Sequence, residues 1–214
     1  MNYADIVSLS LSYSDRSDLE VTSRVDNFIE IVEARMNRLL ETRRMSARSI
    51  VATIKDQEYY GLPSNWAGMR DIEIYGTASD PSSAQGRQTL QYLTPEQMNQ
   101  KTGLPTATYS VNSQIYYTIV ANQIQIFPTQ DSRTMEIVYY QTVPNLNATD
   151  TDNWLSFAAP DAYIFGILVE ISAFVKDATT SSLWDNRFLQ VMNQISDDDK
   201  NDRWSGGTLQ VRLT

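Results

Sequence analysis

The sequence contains no cysteine and no histidine. Without cysteine there is no disulfide framework and no thiolate nucleophile, which suits the cell interior first and is also compatible with an exported particle. Without histidine, neither a Ser-His-Asp triad nor the usual His-containing zinc and di-iron sites can be built. Gly-rich phosphate loops of either standard spacing are missing too. No apolar run is long enough to span a membrane: the densest, "YIFGILVEISAFV" at 163–175, carries Glu170 and reads as a buried core helix. The opening "MNYADIVSLSLSYSDR" lacks a basic stretch, so no secretory signal is expected. Basic charge is scarce, with 17 Lys and Arg against 26 Asp and Glu and a net charge of −9. A protein that grips a nucleic-acid backbone needs a basic footprint, so tight DNA binding is not expected. DNA passing an acidic surface would slide rather than stick.

What charge there is lies unevenly. Six Arg face four acids between Arg24 and Arg48, whereas ten acids face four basic residues between Asp150 and Arg203. Arg35, Arg38, Arg43, Arg44 and Arg48 could meet phosphate, but against so acidic a C-terminal half they are better read as candidate subunit-contact charges, suited to acids on a neighbouring copy. Carboxylate chemistry such as a glycosidase acid and nucleophile pair is what remains, but Glu30 and Glu33, within one helical turn among Arg24, Arg35 and Arg38, read rather as a solvated helix face. Glu170, a lone acid in an apolar helix, fits a hydrogen-bonded or contact position better than a catalytic one. The run "SDDDK" at 196–200 lacks the Gly and closing Glu of an EF-hand. No catalytic residue, metal site or cofactor is expected.

The elements run helix, strands, helix. "SDLEVTSRVDNFIEIVEARMNRLLETRR" (17–44) has capping-box spacing at Ser17 and Glu20, and an apolar stripe through Val21, Val25, Phe28, Val32, Met36 and Leu39. Read as one helix of about 24 residues, it gives a rod of about 36 Å. "YADIVSLSLSY" before it fits a short helix or a strand equally. Between Met45 and Val143, "RSIVATI", "MRDIEIYG", "RQTLQYL", "QIYYTIV", "NQIQIFP" and "MEIVYYQTV" are short and mostly alternating, as strands are. A hairpin is expected at Ala121-Asn122, and a short helix capped by Thr94 with Pro95 at its first position. The small polar loop at 76–86 is expected to be flexible. The doublets Tyr59-Tyr60, Tyr116-Tyr117 and Tyr139-Tyr140 each send one ring in and one out, for an interface, for sugar stacking, or simply to cap a sheet face. Pro160 opens a helix that is apolar nearly all round. A last amphipathic helix starts near Thr180, passes Trp184 and Phe188, and stops at Gly206-Gly207.

The fold class is therefore α+β: an antiparallel helical bundle from 1–45 and 150–205, an inserted antiparallel β-rich domain at 46–149, and an extended C-terminal arm at 206–214. In the arm, Gly206 and Gly207 release the chain and Leu209, Val211 and Leu213 share one strand face. Extended at about 3.3 Å per residue, residues 207–214 reach some 25 Å. Such an arm either adds a strand to a neighbouring subunit or partner, or completes the sheet of its own chain.

The order of these motifs resembles the head-to-tail adaptor (connector, or head-completion) proteins of tailed bacteriophages, in particular podovirus-type adaptors that dock on the portal. "YADIVSLSLSYSDRSDL" is similar to the family's opening helix and link. "FIEIVEARMNRLLETRRM" resembles its first long helix, with Glu33, Ala34, Arg35, Asn37 and Arg38 in the typical pattern. "YYGLPSNWAGMRDIEI", "LTPEQM", "NQIQIFP", "MEIVYYQTVPNL", "DNWL", "PDAYIFGILVEISAFVKD" and "LWDNRF" follow in the family's order. The resemblance implies a non-enzymatic ring, usually a dodecamer, joining the portal to a tail or nozzle protein around the DNA exit channel. It implies a place in the virion neck after synthesis in the host cytoplasm, with no membrane association and no specific DNA binding. The readings set against it are a phage-tail glycan-binding module or carboxylate-based glycosidase, and a tail-tube or tail-completion subunit.

Overall fold

A computed structural model describes residues 1–77, 80, 82–103 and 113–204. The chain divides into a helical unit, Met1–Met45 with the chain from Thr142 onward, and a β unit, Ser46–Gln141. Helices and sheets are thus both present, as α+β requires.

The first segment of the helical unit is α1 (Tyr3–Ser14). Asn2 decides it: its side chain accepts the Asp5 N–H at 2.8 Å, and the Asp5 side chain accepts the Asn2 N–H in return. The expected single rod after it is two helices, α2 (Leu19–Thr22) and α3 (Val25–Leu39). The chain breaks at Arg24 (φ −113°, ψ 1°), whose N–H donates to Val21 O in a tightened turn. Val21 and Val25 are nevertheless both buried, so the apolar stripe crosses the break. The box expected at Ser17 does not form; Asp18 occupies the cap position, with no side-chain bond. A 3₁₀ turn at Arg43–Met45 leads out of the unit.

The β unit holds β1 (Ser46–Ala52), β2 (Tyr59–Gly61), β3 (Trp66–Tyr75), β4 (Gln88–Thr89), β5 (Gln91–Tyr92), the helix α4 (Pro95–Thr102), β6 (Tyr116–Val120), β7 (Gln123–Phe127) and β8 (Thr134–Gln141). Two four-stranded sheets form, in the orders β1-β8-β3-β4 and β2-β7-β6-β5. Their inward residues, among them Tyr60, Ile72, Ile124, Ile126, Met135 and Ile137, make one apolar core. The hairpin turns at Ala121-Asn122 as expected, with Ala121 at φ 54°, and Thr94 and Pro95 begin α4 through a full capping box. "RQTLQYL" is not one strand. Leu90 enters the core, and the chain passes there from β3's sheet to β6's, pairing with β6 in parallel. The expectation of a purely antiparallel insertion fails at that one ladder.

The loop expected to be flexible is gripped at both ends. Gly76 and Gly86 take positive φ, 84° and 66°, where a side chain would be strained. Their carbonyls accept from Arg133 Nε at 3.0 Å and Nη2 at 2.7 Å, while Nη1 donates to Gln130 Oε1 at 3.0 Å. Arg133 is only 6% exposed, and burial lowers its pKa. A guanidinium supplies this many donors from one plane, which Lys does not. Arg133→Met is therefore expected to cost the β unit about 2–4 kcal/mol by stranding three acceptors. Thermal denaturation checks this, and an unchanged midpoint would show that water replaces the guanidinium.

The chain returns through Thr142 into α5 (Trp154–Ala158), α6 (Pro160–Phe174) and α7 (Ala178–Trp204). Helix α6 packs against α1, α3, α5 and α7, which is why its sequence has no polar face. Gly166 marks its closest approach to α3, directly over Val32.

Candidate assembly surface

Asn153 caps α5, accepting the Leu155 and Ser156 N–H groups at 3.0 and 2.8 Å. Its amide nitrogen donates to Pro144 O at 2.6 Å and to the Tyr163 hydroxyl at 2.7 Å. The Tyr163 hydroxyl in turn donates to Glu33 Oε1 at 3.1 Å, and Leu146 N–H donates to the same oxygen at 2.7 Å. One turn further along α3, Asn37 Oδ1 accepts the Val143 N–H at 2.7 Å. Glu33 and Asn37 therefore fix the return segment 142–153 onto the helical unit.

Glu33 corrects the expectation of a solvated face, because it is only 5% exposed. Burial pushes its pKa up to about 7, with the bonds from Leu146 and Tyr163 working against that rise and the charge of Glu30 adding to it. Burial likewise raises the Tyr163 hydroxyl, helped by the charge of Glu33. The missed signal was positional: Glu33 falls four residues after Ile29 and three before Met36, on the apolar stripe itself. Such a carboxylate, held under a chain segment, is placed for architecture rather than as half of an acid and nucleophile pair with Glu30.

The five candidate Arg residues separate. Arg35 pairs with Asp185 on α7 at 2.5 Å and lies over the Phe188 ring at 4.7 Å. Nearby Glu170 has its pKa raised by burial, with the charge of Arg35 opposing. Arg43 meets Asp199 and Asp202, both at 3.1 Å, and Arg44 lies over the Trp154 ring at 5.9 Å. Arg43 and Arg44 face Asp198, Asp199 and Asp202 across a groove of about 350 Å³, with Leu155 and Ala159 at its apolar side. Arg38 lines a second groove with Glu41 and Ser196. Arg48 belongs to the β unit instead. There it binds Glu136 at both carboxylate oxygens, 2.6 and 2.9 Å, and holds that carboxyl below its ordinary pKa. Arg87 reaches Glu136 at 3.8 Å and bonds to Glu73, so it bridges the two carboxylates that stand opposite each other on β8 and β3.

Of the Tyr doublets, Tyr59 is exposed and Tyr60 buried, its hydroxyl accepting the Ile54 N–H. Tyr139 is buried beside a half-buried Tyr140, and in β6 Tyr117 packs against the core while Tyr116 meets Lys101, so the rings alternate at each doublet. The arm residues Gly206, Gly207, Leu209, Val211 and Leu213 lie outside the described residues. Among the described residues no group of acids is placed to hold a metal ion, and no helix is long and apolar enough to cross a membrane.

In comparison with known proteins, a family model described as SU10 adaptor protein matches residues 1–212. No curated protein matches the chain.

Proposed function

The chain belongs to the SU10 adaptor protein family, structural proteins of phages, and on that premise we propose that it forms a ring that joins the portal to the tail and surrounds the path of DNA. The match over nearly the whole sequence carries this reading. A basic helix end and an acidic α7 in every copy suit a head-to-tail contact that closes on itself. The Arg35–Asp185 and Arg43–Asp202 pairs within the chain do not oppose it: partly exposed ion pairs contribute only about 0–1 kcal/mol, so a neighbour's carboxylates can replace them at little cost. A net charge of −9 keeps the channel wall from holding DNA. The arm at 206–214 adds a strand to an adjoining subunit or to the portal.

Native mass spectrometry of the chain mixed with the portal ring of its own phage tests the proposal. Saturation at a fixed number of copies per portal, twelve for a dodecamer, is the expected result. Removing residues 206–214 is expected to leave the monomer folded and to weaken assembly by about tenfold or more, as loss of a strand pairing would. A truncated chain that unfolds would instead give the arm to its own sheet. A folded chain that ignores the portal but binds saccharide would favour the glycan-binding reading.

A further inference from the structure

Among the described residues there is one long open edge. Strand β1 borders its sheet, and all seven of its residues are in unbroken register with β8, from Ser46 opposite Tyr140 to Ala52 opposite Thr134. The other border strands, β4, β2 and β5, have two, three and two residues. Natural edges of this length are guarded by a bulge, a proline, or a charge aimed outward. β1 has no bulge and no proline, and its single charged residue, Arg48, is folded back onto Glu136 of β8. Ile50 is 54% exposed beside it. On the opposite face, Ala47 and Val51 pack at the rim of the core and leave apolar surface for a further strand to cover.

Residues 208–214, "TLQVRLT", match it: they too are seven long and strictly alternating, and they follow Gly206-Gly207. We propose that the arm of one copy pairs with the open edge of β1 in a second copy. Leu209, Val211 and Leu213 then extend the Ala47 and Val51 face, and Thr208, Gln210, Arg212 and Thr214 lie on the face of Arg48 and Ile50. Every copy carries both halves of this contact, so each arm engages the next copy and the series closes as a ring. The inference deepens the adaptor reading and rests on its being an assembly of like subunits. It names the acceptor strand, which that reading left open between subunit and portal.

The absence of cysteine makes the contact testable by directed disulfides. Two full-length chains of different mass are mixed, one carrying Ile50→Cys and the other Gln210→Cys or Val211→Cys, with and without the portal ring. Hydrogen exchange across residues 46–52 is followed in the unsubstituted chain. The expected result is a disulfide between unlike copies from one arm position in preference to the other, and exchange at the outward β1 amides slowed about tenfold or more on assembly. That slowing is lost when residues 206–214 are removed. A ring on the portal with β1 exchanging as in the free chain overturns the inference and leaves the adaptor reading standing. β1 protection in the free monomer overturns it as well, in favour of the chain's own arm. Disulfides between copies that form while the portal is ignored uphold the strand pairing and remove the adaptor reading.

Discussion

Gly166→Ala is expected to destabilise the helical unit by about 1–3 kcal/mol, although Ala favours a helix interior by about 1 kcal/mol over Gly. A Cβ at this position would stand 2.5 Å from Val32 Cγ1, 3.0 Å from Val32 Cγ2 and 3.3 Å from Phe188 Cε2. Val32 is 2% exposed and Phe188 fully buried, so neither can swing aside. The two helices must separate, and every side chain along their contact loses packing with them. Val32→Ala removes both offending methyl groups and leaves a small void when made alone. In the Gly166→Ala background it should restore part of the loss, with a coupling on the order of 1 kcal/mol in urea denaturation. If Gly166→Ala alone proves as stable as the parent, α3 and α6 do not approach as described.

The second large effect is at Glu33. Its carboxyl has a folded-state pKa of about 7 against an ordinary 4.5. Between those two values the folded chain holds a proton that the unfolded chain has already released. This contribution is therefore full below about pH 4.5, falls as pH rises through the window, and is gone above about pH 7, a total of about 3 kcal/mol. Glu33→Gln keeps an acceptor for Leu146 N–H and for the Tyr163 hydroxyl but cannot ionise. It should match the parent near pH 5 and exceed it by about 1–3 kcal/mol at pH 8. Glu33→Leu, which strands both donors, is expected to cost about 2–4 kcal/mol at pH 5 and correspondingly less at pH 8, where the parent has lost the contribution of its protonated carboxyl. Urea midpoints for the three proteins at pH 5 and pH 8 decide the matter. Parallel pH profiles for the parent and Glu33→Gln would show that this carboxyl is not what titrates.

These two residues also show where the sequence is readable. Most local signals came through, the Ser17 box excepted: the Thr94 cap, Pro160 at the start of α6, and the Ala121-Asn122 turn all depend on neighbours within a few residues. Signals that depend on distant partners did not. Nothing near residue 76 announces that Arg133 will hold both ends of its loop. The alternation of "RQTLQYL" is that of one strand, because the change of partner at Leu90 alters which ladder is joined and not which way side chains point. The break between α2 and α3 was hidden for the opposite reason, since the apolar stripe passes through it without interruption. As for the site, the five Arg could be picked out by charge, and the expected bounds already put Arg48 in the β-rich part; what could not be read was that Arg48 would meet Glu136, and Arg35 and Arg43 acids of α7 in their own chain. Glu33 was visible only to a reading that weighed its phase on the helix above its charge.

The discontinuous helical unit has a consequence for how the molecule is made. Strands β1 to β8 lie in one uninterrupted stretch, Ser46–Gln141, and have all their partners once that stretch has left the ribosome. Helices α1 and α3 emerge earlier yet must wait for α6, their partner from the far end of the chain. Closing so long a connection is entropically slow unless the intervening chain is already compact. The β unit, made second, is thus the first to be completed, and by drawing its two ends into a folded body it shortens the search by which α3 finds α6.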